Sequence, residues 1–167
     1  MKKYGLMLVA VLGLVGCGFR PLYLTENNKQ NIIEQTAAVA VEPISGEGGY
    51  QMELILAEKL NPKQLNRPKK YRLEVRLGAP SYSDKSLKDD NFATIEEMNV
   101  VAFYTLIQSD SGEKVVSASL NSSSLFNLIR EPYATVVSKD QLYQNLIKVM
   151  SDEIALHILS YFKGLES

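Results

Sequence analysis

The strongest constraint on the fold is an apolar stripe near the C-terminus. Leu142, Leu146, Met150, Ile154, Ile158 and Phe162 recur at the spacing of one helical face, reinforced by Ile147, Val149 and Leu159. Ser138-Lys139-Asp140-Gln141 fits a capping box ahead of that stripe. Gly164 is a natural stop behind it. A helix from Lys139 to about Lys163 cannot stand alone with such a face, so the rest of the chain must supply a layer to cover it.

That layer reads as a sheet. Tyr71, Leu73, Val75 and Leu77 alternate with Arg72, Glu74 and Arg76, the pattern of a strand buried on one side. Ala93 to Gln108 is a longer strand with an apolar centre, Val100 to Ile107. Ser109-Asp110-Ser111-Gly112 is a turn, and Val116, Ala118 and Leu120 start a return strand that decays into Asn121-Ser122-Ser123-Ser124. Residues 36–44 hold a short first strand around Val39 and Val41, limited by Pro43. Between these, Met52, Ile55, Leu56 and Leu60 share one helical face, closed by Asn61-Pro62. Gly78-Ala79-Pro80 ends or kinks the 71–77 strand, and residues 81–91 read as a polar connection. The expected fold class is α+β: a four-stranded mixed sheet with two helices packed on one face and the other face free. If the strands flanking the 50–60 helix are parallel neighbours, their crossover should be right-handed.

The first twenty residues read differently. Lys2 and Lys3 precede an apolar run from Leu6 to Val15, closed by Gly16-Cys17-Gly18. A basic start, an apolar stretch of about 10 residues and a small residue describe a secretory signal peptide. A spanning helix needs about 20 apolar residues, so the run is too short to remain as an anchor. Leu14-Val15-Gly16-Cys17 resembles the bacterial lipobox. That resemblance implies cleavage before Cys17, diacylglycerol on its thiol, and acylation of the new amine. Three acyl chains exceed the two signals that stable anchoring requires. Gly18 stands where an Asp would favour inner-membrane retention in the well-studied systems, which points to the outer membrane. The expected organisation is a signal peptide at 1–16, a lipidated tether at 17–35 and a single α+β domain at 36–164.

Composition excludes much chemistry. The 167 residues include one Cys and one His, too few for a zinc site of several such ligands, a Cys redox pair or a disulfide framework. Removing residues 1–16 takes away Lys2 and Lys3, leaving 16 positive against 19 negative side chains. No net basic field exists to draw in a nucleic acid. His157 sits beside the apolar stripe, and no Ser occupies a Gly-x-Ser-x-Gly elbow, so a partly buried helix histidine is the better account than a triad. Glu96 and Glu97 are strand neighbours pointing to opposite faces and cannot share a proton; they read as solvated positions. An enzyme is not expected, and no cofactor beyond the covalent lipid on Cys17.

One charge cluster stands out. Arg67, Lys69, Lys70, Arg72 and Arg76 place five positive charges within ten residues, and alternation sets Lys70, Arg72 and Arg76 on one strand face around Glu74. The bland account is a solvated strand face. The functional one is contact with phosphate groups or an acidic wall, for which Arg is well shaped. Lys85, Lys88 and Arg130 in the connecting loops are the next candidates.

Gly16-Cys17-Gly18-Phe19-Arg20-Pro21-Leu22-Tyr23 closely resembles the start of the LPS-assembly lipoprotein family (LptE) in its alphaproteobacterial form. Pro132-Tyr133-Ala134-Thr135 ahead of a long C-terminal helix is similar to a second region of that family, whereas the Ser-rich stretch 121–124 departs from its pattern. The resemblance implies a non-enzymatic partner of the outer-membrane β-barrel LptD, plugging the barrel, supporting its folding and helping deliver lipopolysaccharide to the outer leaflet. It also places the protein on the periplasmic side of the outer membrane, and Lys70, Arg72, Arg76, Lys85, Lys88 and Arg130 become candidate contacts to lipopolysaccharide or the barrel. The alternative is an auxiliary lipoprotein of an envelope ABC transporter or a generic periplasmic binding module.

Overall fold

The computed structural model describes residues 26–87, 93–128 and 132–165. In chain order the elements are α1 (Glu26–Ala37), β1 (Val39–Val41), α2 (Gly49–Leu60), β2 (Tyr71–Leu77), β3 (Ser81–Leu87), β4 (Ala93–Gln108), β5 (Lys114–Asn127) and α3 (Pro132–Gly164). The architecture is α+β, as expected, with a mixed sheet of five strands and three helices.

β4 organises the sheet. Along one edge it pairs antiparallel with β5, from Ile95↔Asn127 to Ile107↔Lys114. Its other edge is shared end to end: β2 pairs with residues 102–108 and β3 with residues 93–99. Gly78 spans the junction, donating its N–H to the Val101 carbonyl at 2.8 Å. A Cβ there would stand 3.1 Å from that same carbonyl oxygen. The Gly-Ala-Pro segment therefore kinks the chain, and the strand resumes beyond it. β1 lies parallel to β2 on its outer side, so the strands flanking α2 are parallel neighbours.

The even-numbered side chains of β4 point to the helices. Met98, Val100, Ala102, Tyr104 and Leu106 are buried against Met52, Leu56 and Leu60 of α2 and Ile147, Met150, Ile154, Ile158 and Phe162 of α3. Tyr71 meets Phe162 edge-on at 5.1 Å between ring centroids. The turn into α2 needs glycine at two successive positions. Gly48 has φ +73°, and a Cβ on Gly49 would fall 2.2 Å from the Ile44 carbonyl oxygen. Tyr143 donates its hydroxyl to the Glu47 carbonyl and fastens this turn to α3. Asn61 closes α2 by accepting from Leu65 N at 2.8 Å and donating to Leu65 O at 3.1 Å.

Four sequence expectations are corrected. The second half of the segment read as a tether, residues 26–35, lies within α1. Few apolar residues mark it; what holds it is docking, with Ile32, Thr36 and Ala37 buried and Glu34 paired to Arg67 at 2.8 Å. Residues 81–87 are β3, because the remaining edge of β4 offers backbone partners to a chain without apolar alternation. β5 does not decay at Asn121 but runs to Asn127, for the same reason. Finally, α3 begins at Pro132, so Ser138 lies inside the helix and the capping-box motif does not mark its start. Proline suits a first helical position, where no intrahelical N–H is needed.

Candidate functional site

The helix-free face of the sheet is polar and open. Register groups it in rows across three strands. Arg76, Phe103 and Ser119 form one row, and Glu74, Thr105 and Ser117 another. Further along, Ser81, Asn99 and Ser123 share a row, as do Ser83, Glu97 and Leu125. Phe103 is 47% exposed, and the Arg76 guanidinium lies over its ring at 5.2 Å. A shallow cavity of about 460 Å³ beside this pair is lined by Glu42, Pro43, Glu74, Val75, Arg76, Phe103, Thr105 and Lys114.

The basic cluster of the sequence is divided among several tasks. Lys69 donates through Nζ to the carbonyls of Ala37 and Val39 at 2.8 and 3.0 Å, closing the C-terminal end of α1 onto β1. Arg67 holds Glu34. Lys70 lies just before β2 and lines a different cavity, together with Arg67 and residues of α1. Arg72 pairs with Glu74 at 3.1 Å on the open face. Arg76 is the only member of the expected stripe that reaches the aromatic. The alternation thus placed Arg72 and Arg76 correctly, and the structure separates Lys70 from them. Lys85, exposed on β3, belongs to a strand rather than a loop and pairs with Glu97 at 2.7 Å. Lys88, Arg130 and Cys17 lie outside the described residues.

Glu96 and Glu97 do point to opposite faces, but neither is simply solvated. On the open side Glu97 accepts from Lys85, from Ser123 at 3.1 Å and from Ser83 at 3.5 Å. The Lys85 hydrogen bond, followed by that from Ser123, holds its carboxyl below the ordinary carboxylate value. On the helix side Glu96 meets Lys139 at 2.9 Å, with only 17% of the Glu96 side chain exposed. The Lys139 ammonium also lies 4.6 Å from the Tyr82 ring centroid and 5.0 Å from that of Phe126. This cage pins the start of α3 over the far end of the sheet, and no short-range signal in the sequence announces it, since its members lie 13 to 57 residues apart.

His157 is exposed rather than partly buried, yet its Nδ1 meets the hydroxyl of buried Tyr104. Burial, with Glu153 secondary, pushes that phenol above its ordinary value. No serine is joined to the pair by a hydrogen bond among the described residues, and the contact ties α3 to β4. Among the described residues no group of three or more His, Cys, Asp or Glu side chains could hold a metal ion, and no helix is long and apolar enough to cross a membrane.

No family model matches the sequence, and no curated protein matches it. Solved structures do. Rare lipoprotein B from Shewanella oneidensis superposes with a TM-score of 0.64 at 12% identity, covering 77% of this chain and 98% of that one. This chain has the fold of those lipoproteins. A lipoprotein from Caulobacter crescentus gives 0.61 at 17% identity over 81% of this chain and 98% of its own. Lipoprotein B from Nitrosomonas europaea gives 0.56 at 14% over 77% and 86%. The architecture is therefore one shared with proteins described as lipoproteins.

Proposed function

We propose that this chain is an outer-membrane lipoprotein that partners and plugs an LptD-type β-barrel and assists lipopolysaccharide assembly. The observation that carries the reading is the coincidence of two independent signals. A lipobox cysteine continuous with Gly18-Phe19-Arg20-Pro21-Leu22-Tyr23 stands before a domain whose fold matches rare lipoprotein B across 98% of that protein. The surface chemistry supports it. A protein delivered alone to a barrel interior needs one side that stays hydrated and can meet a polar wall. The serine, asparagine and threonine rows of the open face, with Arg72, Glu74, Arg76 and the Lys85–Glu97 pair, supply such a side.

Lipopolysaccharide contact falls to Arg76 with Phe103 before the other candidates. Arg72 already serves Glu74, whereas the guanidinium over Phe103 has no carboxylate within ion-pair distance among the described residues. The direct experiment is affinity isolation of the full lipidated chain from detergent-solubilised envelope. A heat-modifiable β-barrel should co-elute. Recovery of an ABC-transporter complex instead would transfer the protein to the alternative class. The combined reversal of Arg72 and Arg76 to Glu then tests the face: circular dichroism should be unchanged, while barrel recovery or lipopolysaccharide binding falls. A folded variant with both undiminished would exclude these residues.

A further inference from the structure

The outer surface of the helix layer carries an apolar seam. A groove of about 690 Å³ runs between α2 and α3. Half-buried Ile55 and Leu159 and buried Ala155 form its floor, Pro62 closes one end, and Leu156 stands exposed on its rim. The Lys59–Asp152 pair, at 2.8 Å, joins the two helices along it. Glu58, on the α2 rim, has no ion-pair partner among the described residues. An apolar floor with one unspent carboxylate on its rim fits a short apolar segment that carries one cation.

The chain itself holds such a segment. Phe19-Arg20-Pro21-Leu22-Tyr23-Leu24 has large apolar side chains at positions 19, 22, 23 and 24 and a single charge, Arg20. It stops just short of α1, which starts at Glu26. α1 packs against both α2 and α3, so the chain enters α1 beside the two helices that form the groove. Counting back from Glu26, Leu22 is within about 14 Å of extended chain and Phe19 within about 25 Å. The α3 side of the groove, from Lys148 to Leu159, measures about 16 Å of helix axis. Six extended residues cover about 20 Å. Length, polarity and point of attachment agree, and removing those apolar side chains from water is the driving force.

We propose that the groove between α2 and α3 seats the chain's own segment Phe19–Leu24, with Arg20 beside Glu58. The docking does not depend on the barrel reading; its consequence for orientation rests on the Cys17 anchor. Cys17 stands next but one to Phe19, so the acyl chains leave from the helix side of the molecule. The helix layer then faces the bilayer, and the polar face of the sheet is turned away from it toward a partner.

The test uses the full lipidated chain in phospholipid vesicles. Cys17 is the only cysteine, and acylation consumes its thiol, so introduced cysteines alone react. Arg20→Cys with Glu58→Cys should join at monomer mass under a short bismaleimide, with circular dichroism unchanged. The comparison pair is Arg20→Cys with Ser160→Cys. Ser160 is exposed next to Leu159, but a helical step of about 100° turns it off the groove. The first pair should react roughly tenfold faster, because docking raises its effective concentration. The chain contains no Trp, so Leu22→Trp supplies a unique reporter. Its emission should be blue-shifted and unquenched by brominated phosphatidylcholine. Equal cross-linking of the two pairs, or joining at dimer mass, overturns the proposal. So does solvent-like emission, or quenching by the brominated lipid, which would put the segment in the bilayer. Maleimide labelling of the unsubstituted chain would report a free Cys17, so failure of the anchor is read separately from failure of the docking.

Discussion

Ile154 and Leu156 are two residues apart on α3 and differ in one respect that decides what truncation costs. Ile154 is fully buried in the core, while Leu156 is 60% exposed on the outer surface. Ile154→Ala deletes three carbons from a packed site. At about 0.8 kcal/mol per buried CH₂ that is a transfer loss of about 2.4 kcal/mol. The cavity left behind adds to it, and measured Ile and Leu truncations span roughly 2–5 kcal/mol. Alanine returns a few tenths of a kcal/mol through its better helix propensity, so a net loss of about 3 kcal/mol is expected. For a domain near 150 residues each kcal/mol moves the midpoint by about 2–4 °C, giving a fall of about 6–12 °C. Leu156→Ala gains the same kind of propensity and leaves no cavity, so its midpoint should stay within the range of an ordinary surface change, about ±0.5 kcal/mol. Thermal unfolding followed at 222 nm for the two variants side by side is the assay. Equal melting of the pair would mean that α3 is not docked on its Ile154 face, and the layered architecture would be wrong.

Three further outcomes are expected. Mass spectrometry of the N-terminal peptide should find a lipid adduct on Cys17, and Cys17→Ala should leave an unprocessed or soluble form; an unmodified thiol in native membranes would refute the anchor. Gly49→Ala should destabilise the protein by more than about 1 kcal/mol in urea titrations, because its Cβ would stand 2.2 Å from the Ile44 carbonyl oxygen; wild-type stability would show that the turn can open. Glu97 has a folded-state carboxyl held below its ordinary value by Lys85 and Ser123, so its contribution is present above the unfolded value and is lost as pH falls through the depressed one. Glu97→Gln should therefore lose stability at neutral pH and show a flatter acid limb than wild type, and two parallel pH–stability curves would count against the Lys85–Glu97 contact.

The division between sequence and tertiary structure runs along the range of the forces involved. Wherever burial repeats with the period of an element, the sequence alone determined the outcome. Tyr71–Leu77 alternates and is β2, Ala93–Gln108 is β4, and the stripe from Leu146 to Phe162 is the buried face of α3, although Val149, read as reinforcing it, is exposed. The open face was equally legible, since alternation dictates that Arg72, Glu74 and Arg76 stand opposite Leu73, Val75 and Leu77. Where an element owes its existence to a neighbour, periodicity is silent. β3 and the second half of β5 are polar segments that become strands because β4 leaves backbone donors and acceptors to be satisfied along both edges. α1 is an asparagine-rich segment kept helical by Arg67, Lys69 and the burial of Ile32. The start of α3 was misplaced because a local cap motif at Ser138 was outweighed by Lys139 entering the ring pair Tyr82 and Phe126 beside Glu96. The basic cluster divided for the same reason: composition counts charges, but only contacts assign Lys69 to carbonyls, Arg67 and Arg72 to carboxylates, and Arg76 to the exposed ring of Phe103.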